Sequence, residues 1–239
     1  MGRLRTLPPK FYRRPAEEVA PDLLGRLVVR ELEGERLILR IVEVEASLGA
    51  GDRASHAWNG RHTERNRSLY ADGGVAYVYF IYGMHFCLNA VTGHRGNGDA
   101  VLLRAGEPIR GVETMLEHRG LGRTPRPGDV AGGPGKLCQA LKVDRDFDGV
   151  ALSRGPLRFT EGEPVSAEEI VTGPMSSVRK TARFWPAAIV AAACAAVMLA
   201  LAAHDDPPVT EYEISVVARQ WGYEPHRIFV NTGDAVVLR

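Results

Sequence analysis

The chain has 239 residues, 45% hydrophobic and 25% charged, so it can bury one substantial core or two small ones. Its formal net charge of +1 excludes a protein that attracts nucleic acid by a global positive field and leaves only a local basic patch for that purpose. The three cysteines are odd in number and far apart, so they predict neither a disulfide framework nor a zinc site.

The first predicted elements are a short helix and a pair of strands. Proline and acidic residues near the start of residues 11–27 favour a helix that stops at Gly25. Apolar runs at 27–32 and 37–46 flank the turn residues 33–35, which indicates two strands joined by a tight turn.

The second of these strands carries two carboxylates, Glu43 and Glu45. Because side chains alternate along a strand, both glutamates face one way while the valines at 42 and 44 face a core. With histidine, tyrosine and arginine close in sequence, such a carboxylate suits the hydrolysis of a sugar–base bond. The alternative is a surface ion network with Arg40 or Arg53, because structural ion pairs also bring charged groups together.

A polar loop over residues 49–66 follows, with a short helix predicted around His56. Three arginines lie close together at its end, namely Arg61, Arg65 and Arg67. This run fits either a solvated loop or a phosphate-binding patch.

Residues 73–91 predict a β-hairpin. Tyr77 and Tyr79 share one face of its first strand, Gly83-Met84 makes the turn, and residues 86–91 return. An exposed tyrosine and methionine at the tip could wedge into a base stack, and the alternative is ordinary hairpin packing.

Three more elements are predicted after the hairpin. They are a strand over 100–105 that contains Arg104, a helix from Pro108 to His118, and a helix over 136–141 whose N-terminus could meet a phosphate. The glycine-rich residues 120–135 lack the spacing of a nucleotide-binding loop, so no ATP site is predicted.

Residues 184–203 form an apolar run without a charge that is long enough to span a membrane. Basic residues at 179–183 precede it and acidic residues at 205–206 follow, which places its N-terminal side in the cytoplasm. The alternative is a buried alanine-rich helix.

The first part of the chain carries motifs that resemble those of the alkyladenine (3-methyladenine) DNA glycosylases, in order from about Phe11 to Pro174. The motifs are I-V-E-V-E-A at 41–46, A-S-H-A at 54–57, T-E-R-N-R at 63–67, Y-V-Y-F-I-Y-G-M-H at 77–85, A-V-L-L-R-A-G-E-P at 100–108 and G-P-G-K-L-C-Q-A-L at 133–141. The resemblance implies an α+β fold with a mixed antiparallel sheet and a DNA-inserting β-hairpin. It also implies a repair enzyme that flips an alkylated or deaminated purine out of double-stranded DNA and hydrolyses its N-glycosidic bond, leaving an abasic site.

The resemblance also implies roles for individual residues. Glu45 is the general base that activates water, and Arg104 helps to hold that water. The base pocket comprises His56, Tyr79, Asn89 and Ser47, with Asn89 excluding the exocyclic amine of undamaged guanine. The residues expected to intercalate are Tyr82 and Met84, and those expected on the DNA backbone are Arg61, Arg65, Arg67 and Lys136.

Members of that family use no metal, no nucleotide cofactor and no Schiff base, so none is expected here. The expected partner is double-stranded DNA, bound by a monomer in the cytoplasm, at the nucleoid. Two departures from the family pattern stand out. First, Ser47 occupies the position of a tyrosine that stacks on the flipped base, and Trp58 could supply the missing stacking surface. Second, the chain is expected to lack the closing segment, rich in aromatic and basic residues, that follows the Gly-Pro found here at 173–174.

From Met175 onward the sequence resembles the start of a cytochrome c oxidase subunit II-like protein. The resemblance rests on R-Q-W-G-Y at 219–223 and N-T-G-D at 231–234, and copper ligands of that family would lie beyond Arg239. The predicted division is therefore a glycosylase-like domain over 1–174, a basic segment with one transmembrane helix over 175–204, and a truncated cupredoxin-like β fragment over 205–239. No metal is predicted, and the apolar helix would tether the chain to the inner membrane.

Three functions remain open on this sequence. The first is a monofunctional DNA glycosylase, and the second is a damaged-DNA binder without catalysis, which a missing closing segment and Ser47 would favour. The third is a fragment of a membrane-anchored copper electron-transfer subunit, with the first part as a passenger. Base release separates the first from the second, and copper absorbance would identify the third.

Overall fold

The protein is organised around one large antiparallel sheet. The computed structural model describes residues 4–172 apart from 53, 123–124 and 127, with 171–172, 177–180, 211–214 and 235–238 as backbone only. The strands of the large sheet are β1 (Leu27–Leu32), β2 (Glu35–Leu48), β3 (Ala76–Ile81), β4 (His85–Thr92), β5 (Asp99–Arg110), β6 (Leu157–Thr160), β7 (Ile170–Thr172) and β8 (Ser177–Lys180). Their order is β3-β4-β5-β2-β1-β6, with β8 against β2 and β7 against β8.

Four α-helices accompany the sheet in the part of the chain that the structure describes. They are α1 (Pro9–Tyr12), α2 (Ala16–Leu23), α3 (Val112–His118) and α4 (Pro134–Ala140). The apolar residues of α2 recur at helical spacing, and all four are almost fully buried: Ala16, Val19, Ala20 and Leu23. They join the main core with inward residues of the sheet such as Leu39 and Leu103. Burial of this stripe, worth roughly 1.5–3 kcal/mol for each large side chain, holds α2 on the sheet.

Short 3-10 helices connect these elements, at Gly49–Gly51, Trp58–Gly60, Glu64–Tyr70, Arg145–Phe147 and Ala167–Glu169. His56 lies in a turn just before the second of them, where a short helix around His56 was predicted. The loop prediction for this stretch is therefore confirmed, and the helical turn lies slightly later in the chain.

Strand β2 is the structural centre because it has neighbours along both edges. β5 pairs with it from Ile38 to Leu48, while β1 covers the other edge as far as Arg40. Beyond the end of β1, β8 takes over that edge by pairing with the backbone of Glu43–Glu45. The segment that carries the two glutamates is therefore held by hydrogen bonds on both sides.

The α+β class, the strand pair and the hairpin are confirmed, and all pairings in the large sheet are antiparallel. The helix predicted from Pro108 is wrong at its start, because Pro108 lies in β5 and α3 begins at Val112. Pro108 pairs with Leu39 next to a register shift, where a proline's missing N–H donor is tolerated.

The C-terminal predictions fall largely on residues outside those described. Strands β9 (Glu211–Ile214) and β10 (Ala235–Leu238) pair in parallel within the predicted cupredoxin-like fragment. Among the described residues, no helix combines the length and apolar character that a membrane crossing requires, and the predicted span over 184–203 lies outside them.

Candidate active site

The two glutamates of β2 converge on one arginine of β5. Arg104 donates from Nη1 to Glu45 Oε2 at 2.7 Å and from Nε to Glu43 Oε1 at 3.1 Å. The side chains are 36% exposed for Arg104, 29% for Glu45 and 16% for Glu43, so the cluster is half-buried but open to solvent. Charge-assisted bonds of this kind fix orientation as well as contributing energy.

A β-bulge places Arg104 between its two partners. Glu43 pairs with Ala105 and Val44 with Leu103, so no residue of β2 stands opposite Arg104. The bulge redirects the arginine toward the face that both glutamates share. Burial lowers the pKa of Arg104, but the carboxylates of Glu45 and Glu43 outweigh that effect and the pKa is raised.

The alternative in which the glutamates pair with Arg40 is wrong. Arg40 binds Glu107 instead, at 3.1 Å, and Arg53 lies outside the described residues. The glutamates do form an ion network, and it includes Arg104, the arginine that the family resemblance assigned to the water site. Val44 is fully buried as predicted, whereas Val42 is only half-buried because the register shifts on both sides of Glu43.

An aromatic cluster lies on the hairpin beside the carboxylates. The His56 and Tyr79 rings meet edge to face at 4.4 Å between centroids, and Tyr77 contacts Tyr79 at 5.5 Å. Burial raises the pKa of Tyr79, and the nearby Glu45 carboxylate contributes a smaller part of the shift. The aromatic cluster and the carboxylate pair are therefore within electrostatic reach of each other.

Strand register explains this proximity. Glu45 stands opposite Leu102, Leu102 opposite Asn89, and Asn89 opposite Tyr77, so one row crosses four strands. Residues in such a row point to one face of the sheet. Asn89 is buried, and its Nδ2 donates to the Tyr77 carbonyl at 3.0 Å, which fixes the orientation of its side-chain amide.

Tyr77 was not predicted as a site residue, yet it orients His56. Its hydroxyl lies 2.7 Å from His56 Nδ1, and burial raises its pKa, so the hydroxyl keeps its proton. When that hydroxyl donates to Nδ1, His56 Nε2 carries a hydrogen that can be donated to a ligand. The two-residue spacing of Tyr77 and Tyr79 was the available signal for this role.

His56 is held from the other side by its loop. Asn66 is buried and donates from Nδ2 to the His56 carbonyl at 3.0 Å and to the Arg61 carbonyl at 2.8 Å. Partial burial lowers the pKa of His56, and the charges of Arg65 and Arg61 lower it further. The imidazole is therefore neutral at pH 7, with one donor and one acceptor nitrogen.

The hairpin tip exposes two large apolar side chains. Tyr82 is 83% exposed and Met84 is 68% exposed. Tyr82 and Gly83 both have positive φ, at 53° and 68°, and the Met84 N–H closes the turn on the Ile81 carbonyl at 3.2 Å. A tyrosine in the left-handed region costs about 1–3 kcal/mol, and such strain concentrates at functional sites.

The predicted backbone-binding residues divide into separate positions. Arg61 and Arg65 are exposed beside His56. Arg67 is 75% exposed, pairs with Glu64 at 3.7 Å and lines a cavity of about 860 Å³ that neither catalytic-candidate glutamate lines. Lys136 is half-buried at the start of α4, with Nζ 3.5 Å from the Gly128 carbonyl.

Helix α4 packs against the tip end of the hairpin, at His85, the first residue of β4 after the turn. A Cβ on Gly135 would lie 2.9 Å from the His85 ring, closer than real Cβ contacts allow, so this close packing requires glycine there. The contact couples the position of Lys136 to that of the hairpin tip.

Ser47 and Trp58, the two residues tied to the missing stacking tyrosine, lie on different elements. Ser47 is half-buried near the end of β2 and stands opposite Ala100. Trp58 is half-buried in a 3-10 helix two positions after His56. The suggestion that Trp58 replaces a stacking tyrosine stays a prediction. Within the described part of the chain, no group of three or more His, Cys, Asp or Glu side chains is arranged to hold a metal ion.

Comparison with known proteins identifies relatives along most of the chain. A sequence model of the family described as methylpurine-DNA glycosylase (MPG) matches residues 10–188. A protein of Methanocella arvoryzae, named as a candidate 3-methyladenine DNA glycosylase, is 46% identical over 172 residues, which cover 72% of this chain and 84% of that protein. The human protein named DNA-3-methyladenine glycosylase is 40% identical over 200 residues, covering 77% of this chain and 66% of the human one.

Proposed function

Because the chain belongs to the methylpurine-DNA glycosylase family, we propose that Glu45 is the general base with which it releases damaged purines. Family membership makes the protein a DNA glycosylase of base-excision repair, a hydrolase of N-glycosyl bonds. The observation that supports the assignment of Glu45 is its 2.7 Å bond to Arg104, on the same sheet face as the aromatic cluster.

The proposed reaction is a displacement at the sugar. A water oxygen forms a bond to C1′ of the deoxyribose while the bond from C1′ to the purine nitrogen breaks, and the purine leaves with that electron pair. Glu45 takes the proton that the water loses. A positioned general base contributes typically about 10²–10⁴-fold to the rate.

Arg104 orients this base. Its planar guanidinium presents several N–H groups in fixed directions, and two of them are engaged by the glutamates. The remaining N–H groups of the same plane are available to hold the attacking water or a nearby oxygen of the DNA.

The substrate class is a purine extruded from the duplex. Flipping a base costs a few kcal/mol, least for a damaged or mispaired one, and aromatic contacts offset part of that cost. We propose that His56 and Tyr79 contact the flipped purine and that the fixed amide of Asn89 excludes the exocyclic amine of normal guanine. Alkylated purines and hypoxanthine are the proposed substrates.

The hairpin tip is proposed to fill the space that the flipped base vacates. Tyr82 and Met84 are exposed, apolar and carried on a turn with a strained backbone, which suits insertion between base pairs. Arg61, Arg65 and Lys136 would neutralise phosphates of the DNA backbone, and Arg67 would contact a phosphate further along the DNA. The affinity for DNA should therefore fall steeply as the salt concentration rises.

The extent of the glycosylase domain is also a proposal. The family match continues past the predicted boundary at Pro174 to residue 188, and β8 pairs with Glu43–Glu45. Both observations favour a domain that ends near residue 188, with the basic segment over 175–183 inside it. The membrane tether and the monomeric state stay predictions.

An assay on double-stranded DNA that contains one hypoxanthine tests this function. We expect the full chain to release the base, so that later treatment with alkali nicks the DNA strand at that position. Release should continue in excess EDTA, because side chains perform the chemistry. A gel shift of the same duplex without alkali-induced nicks would instead indicate a damaged-DNA binder without catalysis.

A further inference from the structure

We propose that Glu43 is a positioning residue for base release, and that it acts by sharing Arg104 with Glu45. This inference rests on the proposed function of Glu45 and extends it to a residue that has no role in the mechanism above. Glu43 is the least exposed of the three charged side chains, at 16% against 29% for Glu45 and 36% for Arg104.

One carboxylate would suffice to neutralise Arg104. Glu43 and Glu45 are two positions apart on the same strand, on the same face, so their carboxylates repel each other across a half-buried site. Holding two like charges beside one guanidinium opposes folding, and it gives Arg104 two fixed anchors instead of one.

The first effect of Glu43 is geometric. It accepts from Arg104 Nε, while Glu45 accepts from Nη1 of the same guanidinium. Two anchors on one plane fix its rotation as well as its position. Because Glu45 is aligned through this plane, a small rotation of Arg104 would displace the general base, and a misplacement of about 1 Å can cost on the order of 10²-fold in rate.

The second effect is electrostatic. The negative charge of Glu43 offsets part of the positive charge of Arg104. Without Glu43, the full positive charge of Arg104 would act on Glu45. A proton that arrives on Glu45 during the reaction is therefore less strongly opposed. Two further described groups, Tyr79 and Cys87, interact electrostatically with Glu45. The backbone of Glu43 is in register with that of Arg179 on β8.

Two variants of the full chain separate the two effects. Glu43→Gln keeps an oxygen that can accept from Arg104 Nε but removes the charge. We expect about 10–100-fold slower single-turnover excision of hypoxanthine, which is part of the about 10²–10⁴-fold that a positioned general base contributes. Duplex affinity should stay within about 2-fold of the unmodified protein, and the acidic limb of the pH–rate profile should move to lower pH. Glu43→Asp keeps the charge and shortens the reach, so excision should slow while the acidic limb stays in place.

Glu107→Gln is the matched control. Glu107 also pairs with an arginine across β2 and β5, at 3.1 Å and 28% side-chain exposure, but outside the cluster. Its rate and pH profile should equal those of the unmodified chain. Thermal unfolding of each variant shows whether a rate loss reflects a lost fold, and if Glu43→Gln does not fold, the rate and pH profile of Glu43→Asp decide the question.

The outcomes separate this inference from the proposed function. Wild-type rate and an unchanged pH profile in Glu43→Gln, with Glu45→Gln inactive, would overturn the role of Glu43 alone. Normal excision by Glu45→Gln would remove the general base and this inference with it. A folded Glu43→Asp variant that excises at the full rate would contradict the geometric part.

Discussion

At the scale of single residues, the chemistry depends on the orientation of the Arg104 guanidinium. Arg104 is engaged by Glu43 and Glu45, and the bulge in β5 leaves it opposite no residue of β2. A lysine could replace its charge but not its planar arrangement of donors.

We therefore predict that Arg104→Lys slows base release by about 10–100-fold while hypoxanthine-containing duplex still binds, because the charge remains and the alignment of Glu45 is lost. Single-turnover excision and a binding titration measure the two quantities. Full activity in this variant would show that the guanidinium plane does not orient the base.

The protonation of His56 offers a second test at this scale. The charge of Arg65 is one cause that lowers the pKa of His56. Arg65→Gln should therefore raise that pKa, which NMR titration of the imidazole Cε1–H resonance measures directly. Arg67→Gln is the control, because Arg67 is not among the charges that shift His56. An unchanged His56 titration in Arg65→Gln would place that arginine away from the pocket.

At the scale of elements, the hairpin combines exposure with backbone strain. Ile81 pairs with His85 across a turn in which Tyr82 carries a positive φ of 53°. Evolution for stability alone would favour glycine at that position, since glycine adopts positive φ without a steric cost.

Tyr82→Gly should consequently stabilise the free protein by about 0.5–1 kcal/mol. This gain is the backbone strain that the substitution relieves, minus the larger conformational entropy that glycine loses on folding. The same variant should excise hypoxanthine from duplex DNA more slowly, because no ring is left to fill the vacated stack. Chemical denaturation and single-turnover kinetics test both halves. A variant that is both less stable and fully active would contradict them.

Local patterns in the sequence were sufficient for the elements but not for their pairing. Alternation along β2 placed Glu43 and Glu45 on one face, and the glycine and tyrosine pattern located the hairpin. The Arg104 pairings join residues 59 and 61 positions apart through a bulge, and no local pattern encodes that register. Likewise, the bond between His56 and Tyr77 depends on how a loop folds over β3.

At the scale of the whole molecule, the boundary of the domain decides which part of the chain is required. The sequence predicts a boundary at Pro174 because the residues that follow resemble a different family. Strand β8 lies beyond that boundary, however, and covers the edge of the glutamate-bearing segment of β2. The pairing of β8 with β2 joins strands that are distant in sequence, so the amino-acid composition of either segment does not predict it.

Truncation tests this boundary. We predict that residues 1–188 excise hypoxanthine at the rate of the full chain, whereas residues 1–174 lose most activity because the backbone of Glu43–Glu45 has an unpaired edge. Excision kinetics and the unfolding temperature of each fragment distinguish the cases. Equal activity of residues 1–174 and the full chain would place the boundary at 174 and make β8 dispensable.

The most direct test of the account is the excision rate of Glu45→Gln on a hypoxanthine-containing duplex, measured in single turnover beside Glu107→Gln. The account predicts a loss of at least about 10²-fold for Glu45→Gln with duplex binding retained, and an unchanged rate for Glu107→Gln. Release of hypoxanthine by Glu45→Gln at the rate of the unmodified chain would contradict it, because the proton of the attacking water would then go to another group.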